Sequence, residues 1–139
     1  MKLRWSIIVI GLGLLMALGM AKCSHAQTVS APAATSNQVQ LSWTASVSCT
    51  TATPCTYIPY RIAGACPATV AGSAGWTQLP ATASQAVTAL DPTVVSGTQY
   101  SYFIEAVLTS DGANSAPSNC VTVTVPLVPA APTGLSAAG

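Results

Sequence analysis

From residue 39 to residue 44 apolar and polar side chains alternate, with Val39, Leu41 and Trp43 set against Gln40, Ser42 and Thr44. A period of two places successive side chains on opposite faces of a strand, so the three apolar residues are predicted to share a buried face. Residues 57–62 repeat the pattern, with Ile58, Tyr60 and Ile62 expected inward and Arg61 outward. Pro59 has no N–H to give to a ladder, so either a bulge or a start of pairing at Tyr60 is expected there. Residues 76–79 form a short strand stopped by Pro80, and residues 85–90 form another. Residues 100–108 make the longest one, with Tyr100, Tyr102, Ile104 and Ala106 on one face and Ser101, Phe103, Glu105 and Val107 on the other. Residues 120–125 close the series with Val121, Val123 and Val125 inward and Thr122 and Thr124 outward.

The intervening segments carry turn chemistry. Residues 45–54 are rich in Ser and Thr, residues 64–75 are small and glycine-bearing, and Asp91-Pro92 with Ser96-Gly97 marks a corner. Ser110-Asp111-Gly112-Ala113-Asn114 reads as a hairpin loop. No segment sustains a helical period. Short strands at close spacing without helices predict an all-β fold, an antiparallel sandwich of two sheets and not a βαβ architecture.

The first 26 residues follow a different rule. Lys2 and Arg4 precede an uncharged, apolar and small-residue run from Trp5 to Met20, and Ser24-His25-Ala26 puts small residues where a leader is cut. Residues 1–26 are therefore expected to be a signal peptide, removed after Ala26. The alternatives are a membrane anchor, although this run of about 16 residues is shorter than the roughly 20 a span needs, and lipidation at Cys23, although Lys22 stands where such signals carry a small residue. Export implies a secreted or cell-surface chain, extracellular or periplasmic, in an oxidising compartment.

Charge changes the picture next. After residue 26 the only charged side chains are Arg61, Asp91, Glu105 and Asp111, a net charge of −2. Without a basic surface there is nothing to neutralise phosphates, so nucleic acid is excluded as a partner. With every His, Lys and Met lying before residue 27, no serine or threonine has a histidine or lysine base. Asp91 and Asp111 read as turn formers and Glu105 as a solvated strand residue, which argues against an enzyme. Neither a cofactor nor a metal is expected: a C-x5-C spacing without histidine is not a zinc site.

Four cysteines, Cys49, Cys55, Cys66 and Cys120, remain after position 26. An even number in an exported chain favours two disulfides, with three possible connectivities. The short span from Cys49 to Cys55 can close an otherwise unsupported loop, which favours Cys49 with Cys55 and Cys66 with Cys120. Strand parity speaks against the second pair, since it sets Cys66 inward and Cys120 outward.

Leu41-Ser42-Trp43, Tyr60-Arg61-Ile62, Gly97-Thr98-Gln99-Tyr100 before Tyr102 and Ala106-Val107, and the strand ending at Val125 together resemble a fibronectin type III domain over residues 27–125. The resemblance implies an immunoglobulin-like sandwich with Trp43 and Tyr60 in its core and Tyr100 as the tyrosine corner, ring buried and hydroxyl bonded to backbone at the turn. The sequence departs from the family pattern in its first strand, faint over residues 28–35, and in the longer loops at 45–54 and 92–97. No Arg-Gly-Asp occurs; Ser110-Asp111-Gly112 occupies the loop that carries it in some members. Residues 126–139 open with a proline-spaced linker, and Ala131-Pro132-Thr133-Gly134-Leu135-Ser136 resembles the start of another such repeat.

The resemblance implies a structural or interaction module, a spacer or adhesive unit whose partner is a protein or a polysaccharide, with no membrane span once the leader is gone. The alternative is a carbohydrate-binding accessory domain of extracellular hydrolases. Exposed Trp76 and Tyr57 would then form the ligand platform, whereas their burial would favour the spacer.

Overall fold

The computed structural model describes residues 27–131, 133, 134 and 136. The expected leader, its expected cleavage site and Cys23 lie outside the described residues, as does part of the second-repeat motif. Among the described residues there are seven strands: β1 (Ala33–Thr35), β2 (Gln38–Ser42), β3 (Cys55–Ala63), β4 (Thr77–Gln78), β5 (Thr88–Asp91), β6 (Gln99–Leu108) and β7 (Val121–Thr124). They form two antiparallel sheets, one in the order β1-β2-β5 and one in the order β4-β3-β6-β7. The faint first strand exists in two pieces. Val29 bridges to Trp43, and β1 pairs with β2 after Pro32 interrupts the ladder.

Between the sheets lie Val39, Leu41 and Trp43 from one side and Tyr57, Tyr100, Tyr102, Ile104 and Ala106 from the other, closed at the ends by Val29, Leu79 and Val125. Trp43 meets Tyr57 edge-on, with ring centroids 5.4 Å apart. Each fully buried Val, Leu or Ile side chain among them contributes about 1.5–3 kcal/mol, so these layers account for why the alternating residues must face one another.

β3 departs from the sequence reading twice. It does not bulge or begin at Pro59; its register with β6 is continuous from Cys55↔Leu108 to Ala63↔Tyr100, with Pro59 opposite Ile104. The Pro59 carbonyl accepts from Leu79 N, so the ring's missing donor points to the β4 side and the β6 ladder loses nothing. Its faces are also reversed. Tyr57 and Arg61 point between the sheets, and Tyr60 stacks on Phe103 on the outer face, centroids 4.9 Å apart. Tyr60 is thus buried, but in a second apolar layer outside the sandwich and not in its core.

Both flanks of the β3–β6 pair are closed by side chains that imitate a strand. Thr82 and Gln85 donate backbone N–H groups to Tyr57 O and Cys55 O, while Thr82 Oγ1 and Gln85 Oε1 accept from Tyr57 N and Cys55 N. On the other side Ser115 and Ser118 donate N–H to Ala106 O and Ile104 O, and their hydroxyls accept from Ala106 N and Ile104 N. Pro117 forbids regular pairing between those serines, so hydroxyls complete the buried edge.

The two disulfides join Cys49 to Cys55 and Cys66 to Cys120, with Cα separations of 5.4 and 5.9 Å. The parity objection to the second pair fails because Cys66 lies beyond the end of β3 and Cys120 just before β7, where neither side chain is bound to a sheet face.

Candidate functional site

Among the described residues, two clusters of polar or aromatic side chains and one groove are candidates. The first lies inside the sandwich. Val87, just before β5, shares the inward parity of Ala89 and Asp91 within it, and β3 places Arg61 opposite them. Arg61 Nη1 donates to both carboxylate oxygens of Asp91, at 3.1 and 2.8 Å, and to Thr93 Oγ1 at 2.7 Å. Tyr102 donates its hydroxyl to Asp91 Oδ2 at 2.9 Å, and the Arg61 guanidinium stands 5.0 Å from the Tyr100 ring centre. Burial by itself would raise the Asp91 pKa. Hydrogen bonds from the Thr93 side chain and backbone, Arg61 and Tyr102 outweigh it and hold the carboxyl below its usual range. Burial first, then the Asp91 charge, pushes the Tyr102 hydroxyl well above the ordinary tyrosine value. Asp91 also performs the turn role expected of it, accepting from Thr93 N at 3.0 Å. The ion pair itself was not anticipated. Its signal was the shared parity of Val87, Ala89 and Asp91 in a chain with a single cation after residue 26.

Beside this cluster the Tyr100 hydroxyl accepts from Val95 N at 3.2 Å while its ring is 8% exposed. Gly97 completes the corner at φ +76°, where a Cβ would also stand 2.6 Å from Leu127.

The second place is the outer face of the β4-β3-β6-β7 sheet. The segment 64–76 leaves β3, is tied at Cys66 to Cys120 on the β7 side, and returns to β4 on the opposite flank. On its way it lays half-buried Trp76 edge-on against Phe103, centroids 4.7 Å apart and planes at 84°. Phe103 is fully buried in consequence. Glu105, expected in solvent, is only 6% exposed and accepts from Asn114 Nδ2 at 3.0 Å. Burial and then the Glu105 charge raise the Tyr60 pKa.

Trp76 and Tyr57 are therefore not brought together. Tyr57 is fully buried between the sheets, its hydroxyl accepting from Ser46 N at 3.1 Å, so the two-ring ligand platform is overturned. An alternating strand reads equally well with either face inward, and the parity of β3 decided the point.

The third place is an open groove of about 360 Å3 where the sheets part, lined by Pro59, Leu79, Pro80, Ala86, Ala89 and Leu90 among others. It carries no ionisable side chain. Among the described residues no cluster of three His, Cys, Asp or Glu can hold a metal, and no helix is long and apolar enough to cross a membrane.

No protein-family model matches the chain, and no curated protein does. Solved structures do. The fibronectin type III domain of human fibronectin type III domain containing protein 3 superposes with a TM-score of 0.53 at 17% identity, covering 76% of this chain and 91% of that one. The fold is that of a fibronectin type III domain. The FN1–FN3 domains of chicken CNTN1 match with a TM-score of 0.56 at 17% identity, over 74% of this chain and 31% of theirs. A β-1,2-glucanase from Parabacteroides distasonis matches with a TM-score of 0.56 at 14% identity, over 76% of this chain and 13% of the enzyme. The chain thus spans less than a third of the length of these last two, and what it shares with them is the fibronectin type III fold.

Proposed function

We propose that the chain is an exported, non-catalytic module that acts by contact, a structural or interaction unit in the extracellular or periplasmic space or at the cell surface. One observation carries this reading. Arg61 and Asp91, the charged pair with the geometry for chemistry, are bound to each other between the sheets, with the Asp91 side chain fully buried. A group locked there holds layers together and meets no substrate. Two disulfides support an oxidising location. The linker at residues 126–139 supports a place in a longer array, with residues 27–125 as one unit.

The second reading, a carbohydrate-binding accessory domain, is favoured by the match within a β-1,2-glucanase. It is weakened by the burial of Tyr57, which leaves Trp76 without a companion ring. Co-sedimentation of the exported protein with insoluble polysaccharides, together with glucan binding in solution, decides between them. The spacer reading expects no depletion. Saturable binding abolished by Trp76→Ala in a folded variant would replace it with the carbohydrate reading.

A further inference from the structure

Past its last strand the chain is still held. Val125, just after β7, is fully buried, and its backbone is bolted to the corner before β6, N to Thr98 O and O to Gly97 N, both at 2.9 Å. From there the hold passes to a side chain. The Ser96 hydroxyl donates to Pro126 O at 2.9 Å and accepts from Val128 N at 2.7 Å. One oxygen thus gives residues 126–128 the donor and the acceptor that a neighbouring strand would give. Thr82, Ser115 and Ser118 use the same device on the buried edges of β3 and β6, whereas Ser96 uses it at the surface.

Gly97 lets the linker come this close. A Cβ there would stand 2.6 Å from Leu127, which lies over the bare glycine. Leu127 and Val128 are nevertheless 78% and 60% exposed, so apolar burial does little to fasten them. The hold is polar and depends on one hydroxyl. The prolines limit the remaining freedom: Pro126 fixes its own φ, and Pro129 keeps Val128 extended.

We propose that Ser96 is a latch that carries the rigidity of the sandwich into the linker as far as Val128, so that the chain leaves the module in a set direction and first pivots beyond Pro129. Ser96 is a positioning residue, acting on the exit path and not on the packed core. The consequence for a spacer, that whatever follows residue 131 departs at a fixed angle, rests on the reading proposed above; the latch itself does not.

The test compares the 15N-labelled full chain, in whatever processed form its host yields, with Ser96→Ala by amide hydrogen exchange and heteronuclear NOE. In the native chain the Val128 amide is expected to exchange about tenfold more slowly than in the variant, and the NOE to hold its β7 level through Val128 and fall at Ala130. In Ser96→Ala the fall moves back to Leu127, while the Val125 amide keeps its protection and the thermal midpoint hardly changes. An unprotected Val128 amide in the native chain overturns the proposal, as does protection that survives the substitution. Loss of protection at Val125 in the variant also overturns it, because the hold would then belong to the whole corner. Saturable polysaccharide binding in the co-sedimentation experiment would instead remove the spacer reading and leave the latch standing.

Discussion

Arg61 of β3 and Asp91 of β5 belong to different sheets, yet Arg61 Nη1 lies 2.8 Å from Asp91 Oδ2. Tyr102, from the strand beside β3, donates to the same carboxylate oxygen. The pair therefore ties the layers together at a point where apolar side chains would otherwise meet.

Breaking that tie on one side leaves an uncompensated charge. Asp91→Ala strands the Arg61 guanidinium and is expected to cost about 3–5 kcal/mol. A double replacement of Arg61 and Asp91 by apolar residues is expected to cost less than the sum of the single changes. Denaturant unfolding with the disulfides intact measures both.

The same carboxylate sets the acid limit. Its folded pKa is depressed, so its contribution is present above the unfolded value of about 3.9 and is lost as pH falls from there through the folded value. Thermal midpoints measured downward from pH 5 should fall for the native chain and fall less for Asp91→Asn, which starts lower. At the alkaline end Tyr102 stays protonated when folded while the unfolded residue ionises near about pH 10. Stability should therefore also decline above that pH, and less so in Tyr102→Phe.

The two disulfides should differ in value. Cys66–Cys120 spans 54 positions and Cys49–Cys55 spans 6, so chain-entropy arguments assign about 4 kcal/mol to the first and about 2 kcal/mol to the second. Serine replacement of each pair, followed by denaturant unfolding, should reproduce that order. Loss of Cys66–Cys120 should also raise hydrogen exchange across residues 64–76.

Trp76 covers Phe103 and is itself half-buried. Trp76→Ala should cost about 2 kcal/mol, below the range for fully buried tryptophan, and should expose Phe103 and Tyr60 without disturbing the inner core. Increased binding of a hydrophobic dye, with near-native far-ultraviolet circular dichroism, would report this.

Much of the sandwich was legible in the chain. Period-two alternation located β2, β6 and β7, and in each of them the expected inward residues point toward the core or pack against it. Those strands carry apolar residues on one parity and mainly polar ones on the other, or, in β6, more aromatics on one. β3 was ambiguous because Tyr57, Pro59 and Arg61 alternate with Ile58, Tyr60 and Ile62, so both faces hold bulky groups. The outer face of its sheet is itself covered, so hydrophobicity could not say which face was inside.

The sequence alone determined the class of fold, because alternation and turn chemistry are local properties of neighbouring residues. It also placed an even set of four cysteines after residue 26 and left few ionisable groups there. Tertiary structure alone decided which face of β3 looks inward, that Arg61 finds Asp91, that Tyr57 is core and Trp76 a cover, and that Cys66 reaches Cys120. Each of these depends on which strands become neighbours. That is a matter of long-range packing and desolvation, and no window of adjacent residues contains it.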